Sequence, residues 1–213
     1  MVLGANDGII STACLILGVA AADATRNAIL TAGMAGLVAG AVSMGLGEYV
    51  SVSSQSDAER ADIAKETWEL ETMPDHELDE LTAIYAAKGL PQALAREVAE
   101  ELTKHDALAI HLAEELGITD TTTARPLQAA VGSAASFTAG AAIPLITAAI
   151  ASSSSRIVTT LVVVTFSLAG LGWAGARFGK ADTKKPTVRV VAGGIAAMAI
   201  TMLVGNLFGA AIA

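Results

Sequence analysis

Four stretches of this chain carry no charged residue: Asn27 to Gly47, Pro126 to Ser155, Ile157 to Ala176 and Val190 to Ala213. Each reaches or exceeds the ~20 residues with which an α-helix crosses a ~30 Å hydrocarbon core. Met1 to Ala22 adds a fifth, broken only by Asp7. The pattern predicts an all-α membrane protein with five transmembrane helices. Composition agrees: 53% of the 213 residues are hydrophobic and 16% charged, where a soluble domain carries about a quarter charged.

The first span imitates a signal peptide, because the small residues of GVAAADA resemble a cleavage site. A signal needs a positive leading region, and no Lys or Arg precedes Arg26, so we read it as a retained helix that opens the chain with little ahead of it. Basic residues set the expected orientation. Arg60, Lys65, Lys88, Arg96, Lys104 and Arg125 fall between spans two and three, and Arg177, Lys180, Lys184, Lys185 and Arg189 between spans four and five. The two opposite loops hold only Arg26 and Arg156, so the positive-inside rule places the long insert in the cytoplasm. The single cysteine, Cys14, lies within span one and rules out an internal disulfide framework; we read it as a buried thiol. The net charge of −8 is no nucleic-acid footprint, since the acids concentrate between Asp57 and Asp120.

The expected organisation is residues 1–54 for spans one and two, 55–124 for a helical insert, and 125–213 for spans three to five. In the insert nothing breaks a helix from Ala58 to about Thr72. Pro74 suits a first helical position, and a second helix runs to Lys88 with Gly89 as its stop. Pro91 starts a third, with or without a break near Asp106, that ends by Gly117. TDTTTARP leads back to the membrane. Small residues recur at four-residue spacing, at Gly36 and Gly40 and at Gly132, Ser136 and Gly140, where they allow close helix approach. Pro144 is expected to bend span three.

Asp7, Met44 and Glu48 are the candidates for chemistry in the membrane. A carboxylate in a span costs roughly 2.5–3.5 kcal/mol on insertion scales and usually faces protein interior or a water path. Two readings stand for Asp7: a functional group inside the bilayer, or a first-turn residue at the interface near a helix N-terminus. Glu48 carries the same ambiguity at the end of span two. Met44 lies one helical turn before it on the same face, and is either apolar filler or a thioether ligand. With spans one and two antiparallel, the three fall at one depth and could hold a divalent cation, the sulfur favouring a first-row ion over Mg²⁺ or Ca²⁺.

KETWELETMPDHELDEL in the insert has the sharper spacing. Glu66 and Glu69 are three apart, as are Glu77 and Glu80, and the Met73–Pro74 break lets the two helices fold against each other. Like charges stack where they repel, with few lysines to relieve them. The pattern fits two readings, a solvated acidic face and a cation site. His105 and His111 are nitrogen ligands or ordinary surface residues.

With NDGIIST in span one, AGAVSMGLGEY followed by VSVSSQSD in span two, and AGAAIPL in span three, the chain resembles the vacuolar iron transporter family over nearly its whole length. The resemblance implies a homodimer with a translocation path between subunits lined by spans one and two. It implies export of cytosolic Fe²⁺ or Mn²⁺ in exchange for protons. Asp7 and Met44 match the family's intramembrane metal-handling residues. A further glutamate of the plant members, two turns before the methionine, falls on Gly36, and Glu48 stands one turn after Met44 instead. Glu66, Glu69, Glu77 and Glu80 match the insert's metal-binding glutamates, and Glu115 matches a fifth. The family's paired methionines fall on His111 and Leu112, so an imidazole replaces sulfur. Such sites also accept Zn²⁺ or Co²⁺.

Two alternatives are a membrane-anchored metal-binding or sensing protein that does not transport, and a membrane-tethered di-iron oxidase. The oxidase chemistry favours Glu-x-x-His on two helices, and Glu101 and His105 are four apart. The reading is therefore not an enzyme. The compact chain, without a targeting extension, points to a bacterial plasma membrane.

Overall fold

A computed structural model describes residues 2–119 and 124–212. Asp120 to Thr123 of the expected TDTTTARP linker lie outside the described residues. Among those described there are seven helices and no strand: α1 (Val2–Ala21), α2 (Arg26–Thr72), α3 (Pro74–Ala87), α4 (Gln92–Glu114), α5 (Pro126–Ile150), α6 (Arg156–Phe178) and α7 (Lys184–Ile212). Of these, α1, α2, α5, α6 and α7 are long and apolar enough to cross a membrane, so the chain is an all-α, multi-pass membrane protein with a helical insert between spans two and three. It divides into two compact units, Met1–Tyr49 with Leu127–Ala213, and Val50–Pro126.

In the first unit α1 is the central helix. Its Ile9, Ala13 and Leu17 pack with Val164 and Leu168 of α6 and Met198 of α7. Ile16 turns the other way, onto Ile29 of α2 and Leu145 and Ala148 of α5. Glycine decides how closely α1 meets α5. A Cβ at Gly8 would fall on the carbonyl oxygen of Phe137, and one at Gly140 on that of Ala5. The two backbones therefore touch where a side chain would hold them apart, the usual means of joining helices in lipid, where no hydrophobic force drives them together. Gly132, on the same sequence stripe, faces open space. Arg26 and Arg156, the basic residues of the two arginine-poor loops, are engaged at the end of α5. Arg26 donates from Nη2 to Ala149 O at 2.5 Å, and Arg156, 5% exposed, from Nε to Ala148 O at 3.0 Å. They satisfy carbonyls that a helix C-terminus leaves orphaned and complement its partial negative charge.

Span two and the first helix of the insert are one element: α2 is continuous from Arg26 to Thr72. The residues that join them, VSVSSQSDAER, include neither Gly nor Pro, so no residue interrupts the i→i−4 ladder. Its 47 residues amount to about 70 Å, more than twice a hydrocarbon core, so its acidic end lies beyond any span.

In the second unit α3 begins with Pro74 in its first turn, and Gly89, at φ +103°, follows its end. Leu81 of α3 and Ala95 and Ala99 of α4 form a small fully buried core. Tyr85 of α3 and Lys88, which caps that helix, both reach Glu114 at the end of α4. α4 is two helical segments joined at Asp106, whose backbone is extended (φ −161°, ψ 91°). Its carboxylate accepts the Ala109 N–H at 3.0 Å and so caps the second segment.

Candidate metal centre

The second unit holds the strongest ligand cluster. Glu66 comes from the acidic end of α2, Glu77 from the first turn of α3, His111 from the last turn of α4, and Glu115 from the residue that caps it. One ligand atom from each lies within 4.8 Å of every other. His111 Nδ1 is 2.9 Å from Glu66 Oε1, 3.7 Å from Glu77 Oε2 and 3.8 Å from Glu115 Oε2. Glu66 and Glu77 are each 2% exposed and His111 not at all, whereas Glu115 reaches solvent.

Proximity here is not hydrogen bonding. Although Nδ1 and Oε1 stand 2.9 Å apart, their angles miss those of a hydrogen bond, and Glu66 Oε1 and both ring nitrogens of His111 are buried without a partner. Each such group costs about 1–3 kcal/mol. Carboxylates buried together also repel. The Glu66 carboxyl is pushed up to about 7, first by burial and then by the charges of Glu115, Glu77, Glu69 and Glu80. Burial and Glu80 likewise raise Glu115, with His111 and Lys65 pulling the other way. A divalent cation at the common point would satisfy the orphaned lone pairs and offset the repulsion. One imidazole with three carboxylates is a donor set suited to Fe²⁺, Mn²⁺ or Zn²⁺.

The remaining candidates of the insert stand apart from this cluster. Glu69 is taken by Lys65, whose ammonium lies 2.8 Å from Oε2. Glu80 belongs to a second group with His76 and Glu77, in which His76 Nδ1 is 3.3 Å from Glu77 Oε1. His76 escaped the sequence reading; its signal was adjacency to Glu77 in PDHELDE, which period-based reasoning ignores because i and i+1 point to different faces. His105 is exposed and Leu112 half-buried.

In the first unit a groove of about 250 Å³ brings Asp7 and Met44 together, with Leu15, Gly36, Gly40 and Phe137 among its walls. Glu48 is exposed and does not line it. Gly36 leaves room that Leu15 occupies: a Cβ there would come within 2.6 Å of Leu15 Cδ2. A glutamate at that position would have to displace leucine.

Comparison with known proteins agrees with the architecture. The VIT family matches residues 1–206 of the chain. A vacuolar iron transporter of Acanthamoeba castellanii is 44% identical over 207 residues, covering 97% of this chain and 76% of that protein. Vacuolar iron transporter homolog 1 of Oryza sativa subsp. japonica is 38% identical over 98% of this chain and 72% of its own length. Vacuolar iron transporter homolog 2 of Arabidopsis thaliana is 36% identical over 98% and 82%.

Proposed function

This chain belongs to the VIT family, and from that premise we propose that it carries Fe²⁺, Mn²⁺ or both out of the cytosol across a membrane in exchange for protons. The observation that carries the reading is the buried meeting of Glu66, Glu77 and His111, in which Glu66 Oε1 and both ring nitrogens of His111 lack any hydrogen-bond partner. In this reading the insert faces the cytoplasm, as the basic loops require. Glu66, Glu77, His111 and Glu115 hold the cation there, with Glu69 and Glu80 as outlying carboxylates. Imidazole among the donors disfavours Mg²⁺ and Ca²⁺ and admits Zn²⁺ or Co²⁺ as competitors.

Transport itself belongs to the spans. Asp7 trades M²⁺ for H⁺, the ordinary role of a carboxylate retained at an insertion cost. Met44, in the same groove, supplies a soft donor. Glu48 is an outlying partner. The working form is a homodimer: on α2, Met34, Val38, Val42 and Leu46 are all more than half exposed and recur every four residues, a stripe that a second copy would cover.

Metal binding by the insert without transport is the competing reading, favoured by the insert's being a compact unit with its own ligand cluster. An oxidase is disfavoured by the donor set, which has one histidine and no Glu-x-x-His pair. The deciding experiment is Fe²⁺ and Mn²⁺ uptake into liposomes under an imposed pH gradient. Gradient-dependent uptake should appear with the intact chain and disappear with Asp7→Asn. Uptake indifferent to the gradient would leave a facilitator, and no uptake beside intact binding would leave the anchored binding protein. Fractionation of the cell decides between a plasma membrane and an internal compartment.

A further inference from the structure

Hydroxyl side chains in the spans have a habitual partner. Ser11 donates to Asp7 O at 2.7 Å, Thr138 to Ala134 O at 2.8 Å, Thr147 to Ile143 O at 2.8 Å and Thr201 to Ala197 O at 2.7 Å. This bond to the carbonyl one turn back satisfies a polar group where water is absent. Thr12 departs from the habit. It is 1% exposed, its Oγ1 is buried, and that oxygen has no hydrogen-bond partner. Yet Thr12 lines the same groove as Asp7 and Met44. A hydroxyl that forgoes an available carbonyl and is left unsatisfied in a span costs free energy that nothing in the protein returns.

We propose that the Thr12 hydroxyl is a further ligand of the divalent cation in this groove, supplying a neutral oxygen beside the carboxylate of Asp7 and the thioether of Met44. The inference rests on the transport reading above and adds a residue to it. Its chemistry fits a path rather than a store. A hydroxyl oxygen can stand in for a water stripped from the ion, as carbonyl and hydroxyl oxygens do for hard and borderline cations. Being neutral, it adds coordination without the attraction of another carboxylate. The cation is thereby desolvated and still able to leave.

Thr160 of α6 is the internal control. It too is fully buried with an unpartnered Oγ1, but it does not line the groove. The experiment measures Mn²⁺ uptake into liposomes against metal concentration for the full chain and for Thr12→Val, Thr12→Ala, Thr12→Ser and Thr160→Val. Removing the hydroxyl in Thr12→Val should raise the half-saturating Mn²⁺ concentration about tenfold, the usual scale for losing one polar contact to a charged group. Thr12→Ser and Thr160→Val should stay close to the intact chain. Valine is isosteric with threonine and more apolar, so it suits the span, and alanine gives a second hydroxyl-free chain. The proposal is overturned if both hydroxyl-free variants saturate as the intact chain does. It is equally overturned if Thr12→Ser is as impaired as Thr12→Val, which would make side-chain shape the cause, or if only the pH dependence moves, which would make the hydroxyl a proton relay. An intact chain that takes up no metal at all would instead overturn the transport reading, and this inference with it.

Discussion

In the insert, four ligand atoms close to within 4.8 Å of one another, three of their residues buried, with Glu66 Oε1 and both His111 ring nitrogens unpartnered. In the spans, Asp7 and Met44 share an open groove of about 250 Å³, and Asp7 itself is exposed. Carboxylates are thus set beside softer donors in two ways, an imidazole in the insert and a thioether in the spans. Convergent, buried carboxylates repel strongly when empty, and that repulsion becomes affinity once a cation enters. A looser constellation with fewer charges binds weakly and can release. Capture and passage ask for opposite energetics, and a chain that does both needs both kinds of site.

The contrast is broken most severely at His111. His111→Ala should weaken Mn²⁺ binding by roughly 100-fold, the upper end of what losing even an outer partner of a metal site costs. Calorimetric titration of the full chain checks this; an unchanged affinity would mean the ion sits elsewhere. Acid acts on the same cluster with a smaller effect per pH unit. Because the Glu66 carboxyl titrates at about 7, binding must displace its proton below that pH, and affinity should fall about tenfold per pH unit as pH drops from 7 toward 5. The metal-free insert should respond in the opposite direction. A carboxyl raised from its ordinary 4.5 stabilises the fold below 4.5, and that contribution is lost as pH rises through 7, on the order of 3 kcal/mol in all. Glu66→Gln should flatten both profiles, and a persistent slope would assign the proton to another group. Glu48→Gln should do least. Exposed and outside the groove, it should change uptake by less than about twofold, as surface substitutions usually do. A loss matching that of Asp7→Asn would put Glu48 on the path.

Much of the fold was legible in the sequence, because the signals were strong and local. Uncharged runs announced the five spans, and Pro74 and Gly89 punctuated α3. The continuity of α2 was less legible: the charge-free run stops at Gly47 and the insert helix reads as starting near Ala58, but polarity does not break a helix, and α2 continues to Thr72. In the insert, three-residue spacing singled out Glu66, Glu69, Glu77 and Glu80 together. Spacing places residues on one helix face without saying which of them meet another helix. Lys65, one turn before Glu69, draws that carboxylate into an ion pair. His76 had no periodic signal at all. Small-residue stripes behaved similarly, with Gly140 pressed against α1 and Gly132 facing open space.

By itself, the sequence determined that the chain lives in a membrane, how many helices are apolar enough to span it, and that acids gather in one insert. These follow from hydropathy, length and charge, which are sums over neighbours in the chain. Only the tertiary structure decided that His111 meets Glu66 and Glu77 in a buried cluster, that Asp7 shares a groove with Met44 while Glu48 does not, and that Thr12 keeps a hydroxyl without a partner. Those are relations between helices, fixed by where glycines let backbones touch and which carboxylate finds a lysine first, and no single helix contains them.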